Sequence, residues 1–229
     1  MSATVAGRLS IPGRNQEQVA ERFRREVASH RMTVLHDDGL YRHLRFREHR
    51  LCNDAQYRPG SSFYWFDLIT WPGCLAIHGD CGSYVFSREQ DMFTFFRGSR
   101  INPQYWAEKV CSGREGLRRY DEAVFRNCVL EDFTDAARNG GIPRGLGRAV
   151  REEILGSEET YYEAGARQVL DSFAFYVNEK DRYDLSKQPD FQFDGTWEWD
   201  LTSWDWQFLW CCHAIQWGIS QYDSERVPA

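Results

Sequence analysis

The stretch "FYWFDLITWPGCLAIHGDCGSYVFSREQDMFTFF", residues 63–96, decides the fold. Residues 63–71 read as a strand whose alternation is masked by bulky side chains on both faces, as in a strand buried on both sides. Pro72-Gly73 turns the chain, residues 74–78 return, and Gly79-Asp80-Cys81-Gly82 turns it again into a third strand at 84–86. Ser87 with Gln90 three positions on fits a capping box, so "REQDMFTFFRG" is expected as a helix ended by Gly98. This is a meander feeding a helix.

Upstream, residues 1–14 read as a loose leader. Asn15 is a candidate cap for a helix over "QEQVAERFRREVASH", in which Val19, Phe23 and Val27 form one apolar stripe. "TVLHDDGLYRHLRFRE" reads as a hairpin about Asp38-Gly39. Leu40, Arg42, Leu44 and Phe46 fall on one face of its second strand, and Tyr41, His43, Arg45 and Arg47 on the other. The charged face is expected to be solvated. "RPGSS" (58–62) is a loop.

Beyond Arg97 the pattern turns helical. "NPQYWAEKVC" offers Asn102 as cap and Pro103 at the first helical position. Helices are expected at 120–138, 144–155 and 158–178, with a break at "NGGIPRG" (139–145). "DLSKQPDFQFDGTWEWD" reads as loop or edge strand. The last helix, "SWDWQFLWCCHAIQWGISQYD", is capped by Thr202 or Ser203 and is apolar nearly all round, so it belongs deep in a core. The fold class is α+β: an antiparallel sheet, made of a hairpin plus a three-stranded meander, covered by C-terminal helices. The expectation is one domain over 15–229, sheet-rich to 98 and helix-rich from 99, because the sheet needs the last helix to cover its apolar face.

The 229 residues carry a formal charge of −6, unevenly spread: 14 Lys and Arg against 11 Asp and Glu in the first hundred, and 14 against 23 in the remainder. Duplex-binding proteins carry a stronger basic field, which argues against nonspecific nucleic-acid binding. A local basic stripe can still hold a phosphate-bearing molecule. No basic start leads into an apolar run, and no apolar run reaches the length of a membrane span. With seven Cys, an odd number (52, 74, 81, 111, 128, 211 and 212), the thiols read as reduced, and the expected compartment is the cytoplasm.

"FYWFDLITWPG", "GDCGSYVFSREQDMFTFFRG", "INPQYWAEKV" and "FLWCCHAIQWGISQYD" together resemble a widespread family of small proteins encoded by phages and bacterial prophages. The resemblance spans about residues 20–222. It implies a bacterial host cytoplasm and an accessory role, such as occupying a defence enzyme or trapping its signal. The family's central turn reads Gly-Asp-Met-Gly, so Cys81 stands where Met is usual. That implies the thiol is not essential chemistry.

A nucleophilic Cys81 would need a base, and His78 is three residues away on the same hairpin. There is no CxxC, HxH or HExxH, and Cys211-Cys212-His213 does not present ligands on one helical face, so neither metal nor cofactor is expected. Asp67 interrupts an apolar strand and needs a partner, for which Arg88, Arg97 and Lys109 are candidates. Alternatively Asp67, Asp80 and Asp91 supply carboxylates to a divalent cation or to acid–base work, as in a metal-dependent hydrolase or nuclease. Asp80 can also satisfy its own turn. "GGIPRGLG" (140–147) lacks the Lys and spacing of a phosphate loop.

The helix start at Asn102, preceded by Arg97 and Arg100, is a candidate anion site. Trp65, Trp71, Tyr84 and Tyr105 add aromatic faces, and Thr70 is a further polar group inside the meander. Aromatic faces with guanidinium groups suit a nucleobase and a phosphate, and equally a protein partner. The leading expectation is a phage or prophage accessory protein that binds and inhibits a host defence component, protein or nucleotide signal, without catalysis. The hydrolase and a structural or regulatory interaction protein are the alternatives. A homo-oligomer, most commonly a dimer, is compatible with each.

Overall fold

The computed structural model describes residues 14–48, 63–98 and 100–226, with side chains of the first helix from Gln16 onward. The 58–62 loop and, but for Arg14, the leader lie outside the described residues. Within them the chain forms two compact units, residues 14–118 with 204–226, and residues 119–203. The boundaries between these units fall at 118/119 and 203/204.

The first unit is built on a six-stranded antiparallel sheet in the order β1 (His30–Asp38), β2 (Tyr41–Glu48), β3 (Phe66–Trp71), β4 (Cys74–Gly79), β5 (Gly82–Ser87) and β6 (Val110–Ser112). The alternation of β2 holds as expected: Arg42, Leu44 and Phe46 are buried while Tyr41 and Arg47 are exposed. In register with them, Leu68 opposes Leu44 and Ile77. This face, with Phe66, Leu75 and Phe86, packs against α7 (Trp206–Arg226).

Ten residues of α7 are buried, including Phe208, Trp210, Cys212, Ile215 and Ile219, and they point all round the helix. The reason is a second wall. α1 (Arg14–Glu26) lays Val19 and Phe23 on α7, with the Phe23 ring edge-on to Trp210 at 5.1 Å. The Trp210 indole N–H, which would otherwise be buried unpaired, donates to Glu26 at 2.8 Å.

The second unit has its own core. α4 (Glu122–Asn139), α5 (Leu146–Ala149, continued by one π turn to Ile154) and α6 (Glu163–Ser172) supply Phe125, Leu146, Ile154 and Leu170. The acidic-aromatic stretch contributes Phe193 to the same core and pairs Phe191 with Phe175 in an isolated bridge. Two short strands, β7 (Arg118–Tyr120) and β8 (Thr202–Trp204), pair with each other where the chain leaves and re-enters the sheet-bearing unit.

Several local expectations are corrected. Arg14 and Asn15 already lie in α1, which ends at Glu26, so Asn15 precedes no helix. Ser87 is not a cap. It belongs to β5, where its N–H bonds Lys109 O and its hydroxyl donates to Gly73 O. Asp91 caps α2 (Met92–Phe96) instead. α3 (Pro103–Ala107) starts at Asn102 as expected but stops early, because residues 110–112 form β6 against β5. The segment 158–178 is a 3-10 turn followed by α6, ending at Ser172. Thr202 and Ser203 lie in β8, and Asp205 caps α7 through the N–H groups of Gln207 and Phe208.

The approach of α7 to the sheet is set at Gly218, where a Cβ would fall 2.7 Å from Leu68 Cδ1 and 3.0 Å from Phe46 Cζ. Gly218→Val should therefore destabilise the protein by about 2 kcal/mol in urea denaturation. Gly140→Ala, where a Cβ meets nothing within 4 Å, should stay within about 0.5 kcal/mol of wild type.

Candidate functional site

Alternation along β3 turns Phe66 and Leu68 toward α7 and Asp67 toward the outer face of the sheet. Register then supplies its partner, since Arg45 of β2 stands directly opposite. Arg45 grips the carboxylate with two bonds, Nε to Oδ1 at 2.9 Å and Nη2 to Oδ2 at 2.8 Å, and His43 Nε2 lies 2.9 Å from Oδ2. The Asp67 carboxylate is thus buried under two cross-strand neighbours. Burial alone would raise its pKa; the bonds from Arg45 and His43 outweigh that and hold it below the usual carboxylate value. None of the expected partners, Arg88, Arg97 or Lys109, reaches it, and Arg45 and His43, on the face expected to be merely solvated, do.

Around this pair the outer face is aromatic and basic. The Arg47 guanidinium lies 5.0 Å over the Trp65 ring, and Trp65 meets His78 edge-on at 5.3 Å. Tyr41 and Trp71 are exposed on the same side, at 53% and 36%.

The opposite face holds a separate ion pair. Arg42, three residues from Arg45 and hence on the other side of β2, makes two bonds to Asp91 at 2.9 and 3.1 Å. Its guanidinium lies over the Phe93 ring at 4.6 Å. Asp91 also accepts from Phe93 N as the cap of α2. Burial pushes the Asp91 carboxyl up, but Arg42 and the Phe93 N–H hold it below its ordinary value. Asp67 and Asp91 therefore sit on opposite faces of the sheet, each bound to its own arginine.

Asp80 does a third job. Its Oδ2 accepts from Tyr64 N at 2.7 Å, and Tyr64 has φ of 59°, a left-handed conformation that non-glycine residues adopt only when held. The carboxylate clasps the start of β3 onto the β4–β5 turn.

The remaining candidates are distributed around the same unit. Thr70 donates to Leu40 O at 2.8 Å, tying β3 to the first hairpin, and Tyr84 is buried edge-on to Phe208. Arg97 forms a two-bond pair with Asp223 of α7. Asn102 caps α3 through Tyr105 N, and Lys109 Nζ stands 4.4 Å over the Tyr105 ring beside Glu108. Arg88 and Arg100 are exposed. Trp65, Asp67 and Trp71 thus share one face, Asn102, Tyr105 and Lys109 gather at α3, and Thr70, Asp80, Asp91 and Arg97 have structural bonds elsewhere.

Two cavities open in this unit. One, of about 490 Å³, lies between α1 and α7 and is lined by Phe23, Arg24, His213, Gln216, Trp217 and Ser220. Burial, with a smaller contribution from Arg24, pushes the His213 imidazole down to about 4, so it is neutral near pH 7. The other, of about 470 Å³, is lined by Gln104, Glu108, Arg114, Leu117, Arg118 and Trp204. The Arg118 guanidinium lies 5.0 Å over the Trp204 ring. This second site was missed from sequence, because its residues come from α3, the β6–β7 loop and β8, far apart in the chain.

Cys81 is buried, and its thiol is pushed up to about 12, by burial first and then by Glu26 and Asp80. A thiol so protonated is a poor nucleophile. Among the described residues no group of three His, Cys, Asp or Glu is placed to hold a metal ion. No helix among them is long and apolar enough to cross a membrane.

No protein-family model matches the chain, no curated protein is similar to it, and no solved structure matches it.

Asp67→Asn should cost about 2–3 kcal/mol, at or below the lower end of the range for a buried pair because Arg45 keeps a third of its side-chain surface in water. Because the folded carboxyl lies below its unfolded value of 3.8, its stabilising contribution is complete above that value and is lost as pH falls through the folded one. Urea unfolding from pH 6 to pH 2 should therefore lose stability more steeply in wild type than in Asp67→Asn. Native-state thiol alkylation read by mass spectrometry should label exposed Cys111 and leave Cys81, Cys211 and Cys212 unmodified until the protein is denatured.

Proposed function

We propose that this chain is a non-catalytic binding protein that captures an acidic protein surface on the outer face of its six-stranded sheet. Following the resemblance to phage and prophage proteins, the partner is a component of host defence, met in the bacterial cytoplasm and inhibited by occupation. The observation that carries the reading is the array Arg47–Trp65 beside Arg45–Asp67–His43, flanked by exposed Tyr41 and Trp71. Arginine and large aromatics are the residues that dominate interface anchors. Here the cross-strand pair holds Arg45 in place before any partner arrives, which lowers the ordering cost of association. The separation of Asp67 and Asp91 onto opposite faces favours binding over the carboxylate-metal hydrolase.

A second reading has an observation of its own. The 470 Å³ cavity combines the Trp204 indole with two arginines, Arg114 and Arg118, a set that suits a nucleotide signal.

Purification of the tagged protein from infected cells, with mass spectrometry of both proteins and metabolites, separates the two. Recovery of a defence protein that is lost from Arg47→Glu/Trp71→Ala, with unchanged thermal unfolding, supports the first. A co-purifying nucleotide lost from Arg118→Ala supports the second. Recovery of neither, with metal-dependent nucleotide turnover, would overturn both.

A further inference from the structure

The edge strand β1 carries a pattern that the rest of the sheet does not use. It is the first of the six strands and pairs with β2 alone, so its outward backbone groups have no strand partner among the described residues. Nine residues make a long edge, and a long exposed edge is a template for another strand. Its centre is apolar and exposed, Val34 at 45% and Leu35 at 46%. Its ends carry opposite charges: Arg31 and Asp38 are both exposed, with no ion-pair partner among the described residues. Arg31 instead stands opposite Arg47 of β2, like charge against like.

A bulge between Val34 and His36 sets which side chains share a face. Arg31 and Thr33 lie opposite Arg47 and Arg45, and His36 and Asp38 lie opposite His43 and Tyr41. All four therefore point to the outer face, with Leu35 as the extra residue. A second β1 running antiparallel, about a two-fold axis between Val34 and Leu35, sets Arg31 against the partner's Asp38 and Thr33 against the partner's His36. Val34 meets the partner's Leu35 at the axis. Each opposed pair from the outer face meets its own kind, and the two bulges face each other, so the ladder stays in step. The ion pair forms twice by symmetry and relieves the Arg31–Arg47 juxtaposition. A strand basic at one end and acidic at the other is complementary to its own reverse, which singles out a second copy of this chain as the occupant.

We propose that the protein forms a symmetric dimer in which the β1 strands of two copies pair antiparallel about Val34 and Leu35, merging their sheets into one.

Sedimentation equilibrium of the full chain over about 1–100 µM, the range of ordinary reversible association, should give twice the chain mass at the upper end. Arg31→Glu and Asp38→Lys each place like charges opposite one another twice per dimer, and each should weaken dimerisation about tenfold or more. Mixing the two variants should restore association, because the mixed dimer regains both pairs: the introduced Glu faces the introduced Lys, and the native Asp38 faces the native Arg31. Circular dichroism checks that each variant is folded. Should either fail to fold, Leu35→Arg, which sets two charges beside the axis, should abolish the dimer instead. A monomeric wild type across the range would overturn the proposal. So would a dimer indifferent to these substitutions, or mixed variants that associate no better than each alone.

Discussion

The burial of α7 is the constraint on which the sheet-bearing unit depends. A helix with Trp210, Cys212, Ile215 and Ile219 on different sides cannot lie on a surface. It needs the sheet on one side and α1 on the other, and among the described residues the sheet in turn has no other helix of comparable length on its apolar face. Gly218 lets the two approach until Leu68 and Phe46 fill the space a side chain would occupy. These partners are separated by most of the chain, since residues 119–203 form a unit with a core of its own before the chain returns. The sheet's apolar face is therefore completed only by the last residues of the sequence, so that its closure waits on contacts distant in the chain, which are slow to form.

With one face taken by α7, the period of two along each strand divides the polar residues into two populations. Arg42 and Arg45 differ by an odd number and so act on opposite sides, one locking α2 through Asp91 and the other gripping Asp67. The first pair is part of the core's closure, with the ring of Tyr222, itself bonded to Asp37, near the same guanidinium. The second pair faces outward among aromatics and further cations. A buried ion pair is weak evidence for stability, because desolvation offsets most of the attraction. A pair that fixes an arginine on an outward face has a different consequence: it orients a group that a partner can use.

What was legible in the sequence followed from period and turn chemistry. The Asp38-Gly39 hairpin, the two-faced β2 strand, the meander and the buried terminal helix all appear in alternation or helical spacing. The Arg45–Asp67 pair did not, because it depends on register between strands joined by a connection of unrelated length, and either strand could slide by two residues without changing its pattern. The caps misled for a related reason. Ser87, Asp91, Thr202, Ser203 and Asp205 are all good capping residues, and tertiary bonds chose among them. Arg42 holds Asp91 at the start of α2, while Ser87 stays in the ladder through Lys109 O. Asp205 N is tied to Leu117 O at 2.9 Å, which starts α7 there. β6 is three residues long and shows no period at all.

The outer face and the β1 edge are parts of one sheet, and this links the two proposals. Pairing that sets Arg31 against the partner's Asp38 keeps outer-face residues together, so both copies turn the same face the same way. Two arrays of Arg45, Arg47, Trp65 and Trp71 would then stand side by side on one continuous surface. An acidic partner that is itself symmetric or repetitive could engage both at once, and the second contact would form at the high effective concentration set by the rigid sheet. Weak individual anchoring on an exposed face is then compatible with tight capture. The dimer is also the state in which the Arg31 and Arg47 charges cease to repel without an answering carboxylate.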